Sequence, residues 1–233
     1  MTTLLILGGT GEGRALATAV CNAHSTWRVI SSLAGATAHR ADLPGEARVG
    51  GFGGADGLAA YIKDTGVDAV IDATHPFAAR ITQNAVAACR DTATPYLRLD
   101  RKPWDLPQDA DVVFVPDADE AARLVARTSS AALLTIGNKD LAAFAGVDKV
   151  KLVVRAIAEP TVRLPDAIPV IARPPFTLEG ELALLGEHNI DTVVSKASGG
   201  DATRARLGAA ARGGRRVVLV RRPPPPDAAR VFR

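Results

Sequence analysis

The stretch Leu4-Leu5-Ile6-Leu7-Gly8-Gly9-Thr10-Gly11-Glu12-Gly13-Arg14 decides the fold. Its first four residues are an unbroken apolar run, the pattern of a strand buried on both faces. The glycines that follow let the backbone turn sharply and approach a phosphate closely. A helix predicted over residues 13–22 then offers unpaired N–H donors and the positive end of its dipole. Strand, glycine loop and helix in this order form a dinucleotide-binding arrangement. The fingerprint is a variant: counted from Gly9, the third glycine position of G-x-G-x-x-G is Arg14. The candidate cofactor contacts here are Gly9, Thr10, Gly11, Glu12, Gly13 and Arg14. A cation in a first helical turn is disfavoured by the dipole, and a bound anion would offset that. A purely structural turn with a solvated Arg14 is the plainer alternative.

Outward from this unit, short apolar strands alternate with alanine-rich helices. Strands are predicted at residues 27–32, 69–72 and 96–99, and helices at 56–64 and 76–91. This alternation builds parallel sheets from βαβ units. It breaks over residues 100–111, where two prolines and several charges read as a linker. It then resumes with strands at 112–115, 132–136, 150–157, 169–173, 192–195 and 216–220, and helices at 117–128, 138–145, 177–188 and 201–211. Asp117 and Glu120 have capping-box spacing. The expected fold is α/β: two Rossmann-like lobes with mostly parallel sheets and a cleft between them. Residues 1–101 are expected to bind the dinucleotide and residues 102–233 the substrate.

Composition narrows the class. At 233 residues, 47% apolar and 23% charged, the chain suits a globular protein. No apolar run approaches the ~18–20 residues of a membrane span, and no basic leader opens the chain. Cys21 and Cys89 lie far apart in helical patterns, which suits a reducing cytoplasm and gives no metal site or disulfide framework. The net charge of +3 is local: residues 211–233 hold seven arginines against one aspartate. With 4% aromatic residues, stacking platforms for nucleic acid are scarce, so neither nucleic acid nor membrane is an expected partner. The abundant arginine suits an acidic small molecule. Nothing in the sequence sets the oligomeric state, and a monomer is open.

Further site residues follow from strand ends. An NAD site carries an acid after its second strand. Here that strand ends Ser31-Ser32-Leu33-Ala34-Gly35, and Arg40 follows. Without a repelling carboxylate, a 2′-phosphate can sit there, so NADPH is expected, with Ser32 and Arg40 as contacts. Asp72-Ala73-Thr74-His75-Pro76 ends a buried strand and starts a helix with proline. That places Thr74, His75 and Pro76 on the ligand side of an open sheet. In the second half, the corners Thr135-Ile136-Gly137-Asn138-Lys139-Asp140 and Ser195-Lys196-Ala197-Ser198-Gly199-Gly200-Asp201 each join hydroxyl or amide groups, a lysine and a helix start. Both suit a carboxylate. Ordinary turn chemistry, with Asp201 as an N-cap, is the alternative.

Taken together, these segments resemble the precorrin-6A reductase family of cobalamin biosynthesis. The resemblance rests on residues 7–14, 32–35, 72–80, Val-Gly-Gly-Phe-Gly-Gly (49–54), Arg-Pro-Pro-Phe-Thr (173–177), Lys-Ala-Ser-Gly-Gly (196–200) and Arg-Arg-Pro-Pro (221–224). Two departures stand out. The family often has arginine where this chain has Ala36, and asparagine where it has Ala197. The resemblance implies an NADPH-dependent reductase that saturates C18=C19 of precorrin-6A, a metal-free polycarboxylate tetrapyrrole, to give precorrin-6B. Lys139, Arg173, Lys196, Ser198, Gly199 and Gly200 are then candidate substrate contacts, and Asp100 and His75 candidate proton donors. A cobalt-containing substrate, another NAD(P)H-dependent reductase, and a non-catalytic dinucleotide-binding regulator are the alternatives.

Overall fold

The computed structural model describes residues 1–33, 43–106, 110–201, 204–224 and 230–232. Its chain divides into two units, Met1–Arg101 with Pro223–Arg233, and Lys102–Arg222. The second unit therefore stops at Arg222, not at residue 233 as expected, because the last segment returns to the first sheet.

The first unit begins β1 (Thr3–Leu7), α1 (Gly11–Ala23), β2 (Arg28–Leu33), β3 (Glu46–Val49), α2 (Ala55–Thr65), β4 (Ala69–Asp72), α3 (Ala79–Asp91) and β5 (Tyr96–Leu99). The second unit holds β6 (Val112–Val115), α4 (Ala118–Thr128), β7 (Ala131–Thr135), α5 (Asn138–Leu141) with a 3₁₀ turn after it, β8 (Lys151–Ala156), β9 (Ile168–Ile171), α6 (Leu178–Glu187), β10 (Thr192–Lys196), α7 (Ala205–Arg212) and β11 (Arg216–Val220). The chain then adds β12 (Arg230–Phe232) to the first sheet. The sheet orders are β12-β5-β4-β1-β2-β3 and β6-β11-β10-β7-β8-β9. Every pairing is parallel.

Burial on both faces explains the apolar strands. Leu5 and Leu7 pack with Ile30, Leu58, Ile62, Val70 and Ala85 on one side of the first sheet. Leu4 and Ile6 pack with Ala17, Val29 and Ala73 on the other. Each fully buried leucine, isoleucine or valine among them contributes ~1.5–3 kcal/mol. Cys89 belongs to the first cluster, and burial pushes its thiol up to about 11, leaving it inert. Leu7 lies beside both Ser32 and Asp72, so β1, β2 and β4 end level at the edge where the glycine loop begins.

Several expectations shift. β3 and β12 were not expected. Helix α1 starts at Gly11, two residues early, while α3 starts at Ala79 after a turn through Pro76. Helix α7 starts at Ala205, so Asp201 is not its N-cap; Arg204 is. Asp117 does cap α4, accepting from the Glu120 N–H at 2.8 Å. The Glu120 carboxylate turns outward to Arg123, so the capping box is half made. Among the described residues no helix is long and apolar enough to cross a membrane.

Candidate functional site

The glycine loop closes onto α1 through Thr10. Its Oγ1 donates to the Ala73 carbonyl at 2.9 Å and accepts from the Gly13 N–H at 3.0 Å. One hydroxyl thus caps α1 and ties it to the end of β4. Gly9 has φ +102°, a conformation that requires glycine in practice. Gly13 is buried, and a Cβ there would lie 3.4 Å from both the Ala73 Cβ and the Gly8 Cα. Gly13 therefore does the close-packing job of the third fingerprint glycine, one position before Arg14.

Above this loop lies a cavity of about 720 Å³. Residues 8–10, Ser32, the 50–54 loop, Thr74, His75 and Asn84 line it. Its volume falls within the ~300–1,000 Å³ range of small-molecule and cofactor sites. The structure thus brings Gly9, Thr10, Ser32, Thr74 and His75 together. Gly11, Glu12, Gly13 and Arg14 form the first turn of α1 and are not among the lining residues; nor is Pro76, which is buried beneath. Arg40 and Ala36 lie outside the described residues. Glu12 would repel a phosphate if unpaired, but Arg101 meets it at 2.9 Å.

A buried carboxylate sets the geometry on the β4 side. Asp72 is fully buried. Its Oδ1 accepts from Thr74 N at 3.0 Å and Thr74 Oγ1 at 2.6 Å. Its Oδ2 accepts from Thr82 Oγ1 and Arg98 Nη1, each at 2.6 Å, and from Tyr96 OH at 2.9 Å. Burial, and next the Asp72 charge, drive the Tyr96 phenol above its usual range, so it stays a donor. The next residue, His75, is fixed from the other side: its Nδ1 accepts from the Phe77 N–H at 3.2 Å. The neutral ring then carries its proton on Nε2. Asp100 lies 3.9 Å from Arg98 Nη2, at the end of the same network.

In the second unit the two corners meet. Lys196 Nζ lies 2.5 Å from Asp140 Oδ2. Arg222 donates to the carbonyls of Ala197 at 2.7 Å and Ser198 at 3.0 Å, and Trp104 Nε1 donates to Gly200 O at 2.6 Å. Ser198 and Gly199 are buried, with Gly199 at φ +66°. Lys139 and Arg173 are exposed and form no ion pair with the described residues.

Sequence reasoning missed a charged cluster at this edge. Arg155 pairs with Glu181 through two bonds, 2.8 and 3.1 Å, and its guanidinium lies 4.1 Å from the centroid of the Phe176 ring. Arg206 donates to Thr135 Oγ1, while its buried Nε has no partner. Burial, and next the Arg155 charge, pull Arg206 down to about 10. It also missed Arg48, whose guanidinium lies 3.8 Å from the Phe52 centroid and donates to the carbonyls of Gly50 at 2.6 Å and Gly51 at 2.8 Å. Phe176 and residues 50–52 lay in motifs already noted, but no local pattern reveals what these arginines touch. Among the described residues no cluster of His, Cys, Asp or Glu could hold a metal ion.

The family model described as precorrin-6x reductase CbiJ/CobK matches residues 3–233. A precorrin-6A reductase from Rhodococcus erythropolis is 43% identical over 90% of the chain and 85% of its own length. A cobalt-precorrin-6A reductase from Priestia megaterium is 31% identical, over 84% and 80%. Among solved structures, a CobK precorrin-6A reductase superposes with a TM-score of 0.90 at 38% identity, covering 99% of this chain and 92% of that one.

Proposed function

The chain belongs to the precorrin-6x reductase family, the oxidoreductases of cobalamin biosynthesis that act on a CH–CH bond, and on that footing we propose that it reduces C18=C19 of precorrin-6A to precorrin-6B with NADPH. The observation that carries this reading is the cavity at the ends of β1, β2 and β4, walled by the glycine loop, Ser32, Thr74 and His75. The cobalt-free substrate is favoured by identity, 43% against 31% to a cobalt-precorrin-6A reductase.

The residues present fit the dinucleotide. Residues 8–10 and the first turn of α1 hold the diphosphate, where the dipole favours an anion and Arg101 neutralises Glu12. Arg14 adds a cation to that turn. Ser32 and Arg40 receive the ribose phosphate. Thr74 and His75 line the nicotinamide end, with Pro76 setting the turn behind them. When bound, the reduced nicotinamide supplies hydride.

One proton completes the reduction, because saturating a C=C bond takes a hydride on one carbon and a proton on the other. The Asp100 carboxyl, or His75 once its ring also carries a proton on Nδ1 in place of the Phe77 N–H bond, is the proton source in this reading. Neither is indispensable, since the conjugated macrocycle spreads the developing charge. The second unit receives the acetate and propionate groups. Lys139 and Arg173 offer exposed cations, Lys196 shares its charge with Asp140, and Ser198, Gly199 and Gly200 offer a pinned backbone corner.

The test is anaerobic incubation of the protein with NADPH and precorrin-6A, followed by absorbance and product mass. The expected result is a blue shift, from shortened conjugation, and a product heavier by two hydrogens. Precorrin-6A left unchanged would overturn the reading. In the same assay His75→Ala and Asp100→Asn each lose less than ~10⁴-fold in kcat, the upper range for general acid catalysis, and a larger loss makes that group essential.

A further inference from the structure

We propose that Arg48, beyond the Ser32 and Arg40 contacts, is a residue that selects NADPH over NADH, by placing positive charge beside Ser32 where the ribose 2′-phosphate would lie. This rests on the NADPH reading above. The end of the second strand is where this kind of sheet reads the ribose 2′ position. Arg48 is the register partner of Ser32 on the neighbouring strand β3. Its Nη1 lies 3.4 Å from Ser32 Oγ, and Ser32 lines the cavity. Because Ser32 Oγ accepts from Arg48, its own O–H is left to donate onward.

The guanidinium is held in place without being neutralised. The carbonyls of Gly50 and Gly51 take hydrogen bonds from Nη1 and Nη2, and Phe52 and Tyr61 lie 3.8 and 5.2 Å from it at their ring centroids. Carbonyl dipoles and aromatic rings orient a cation but carry no formal charge. No carboxylate among the described residues comes within ion-pairing distance of Arg48. An oriented, half-buried arginine beside a hydroxyl, with no carboxylate partner among the described residues, suits a phosphate dianion. Arg48 also latches the 50–54 loop, so its two roles must be separated.

Calorimetric titration of the full chain with 5′-AMP and with 2′,5′-ADP does this, because the two ligands differ only in the 2′-phosphate. Wild type is expected to bind 2′,5′-ADP at least about tenfold tighter. Arg48→Gln keeps amide donors for the loop but removes the charge, and should bring that ratio to within about threefold of one, with Arg48→Lys in between. Circular dichroism of each variant checks that it is folded, and Ser32→Ala, which leaves the loop latch intact, should lower the ratio as well. If Arg48→Gln and Arg48→Lys retain the wild-type ratio, or weaken both ligands equally, Arg48 only shapes the loop and the proposal fails while NADPH stands. A wild-type ratio near one would remove the NADPH reading itself.

Discussion

The two units carry six-stranded parallel sheets that share one order over five strands, β5-β4-β1-β2-β3 and β11-β10-β7-β8-β9, yet they treat buried charge at the carboxyl edge in opposite ways. In the first, Asp72 meets one cation, Arg98, and every other bond to it comes from a neutral donor. In the second, Arg155 takes both oxygens of Glu181, while Arg206 has no ion pair among the described residues and its Nε has no partner. The first edge is electrically closed. Its network stabilises the fold and fixes Thr74 beneath the cavity. The second carries one surplus buried cation, which costs stability in the free protein. The same fold therefore supports a rigid cradle built from backbone and hydroxyl groups in one unit, and a charged edge in the other.

Asp72→Ala is the strongest way to break this contrast. It leaves buried Arg98 with only the distant Asp100, at 3.9 Å, and breaking a buried pair typically costs ~3–5 kcal/mol. Urea denaturation should show that loss, and 5′-AMP binding should weaken as Thr74 is released. A cost under ~1 kcal/mol, the range of an exposed pair, would mean the Asp72 network is not closed as described.

Arg206→Met should have a much smaller effect, with unfolding free energy at pH 7 within ~1 kcal/mol of wild type or higher, because it removes charge rather than stranding it. The sign follows from the direction of the shift. The folded state holds the Arg206 proton less tightly, at about 10, well below the ordinary guanidinium range. Below about 10 the charge counts against folding, and stability recovers as pH rises through that window. The advantage of Arg206→Met over wild type should then shrink above pH 10 in thermal melts. A loss at pH 7 as large as that of Asp72→Ala would show that the second edge is as closed as the first.

What the sequence made legible follows the same division. The run from Leu4 to Arg14 carries its own period, glycines and cap, so β1, the loop and α1 could be read locally. So could Ser32, Thr74 and His75, because strand ends locate them. Strand β3 was missed because Glu46-Ala47-Arg48-Val49 has no apolar run; it sits at a sheet edge, half exposed. Strand β12 was missed because it follows four prolines and pairs with β5, far back in the chain. Arg155 meets Glu181 across 26 residues, and Trp104 meets Gly200 across 96, so no window of sequence holds either contact. Trp104 also packs into the second core, which makes a supposed linker part of the unit it leads into.

In the proposed reaction a reduced dinucleotide seated on the opening turn of α1 delivers its hydrogen to the macrocycle. Precorrin-6A turned over anaerobically with NADPH deuterated at the transferable position, in ordinary water, tests this by mass spectrometry and NMR of the product. One deuterium is expected, at C18 or C19, with the second new hydrogen drawn from solvent. Deuterium at another carbon, or a reduced product with none from either nicotinamide face, would contradict it.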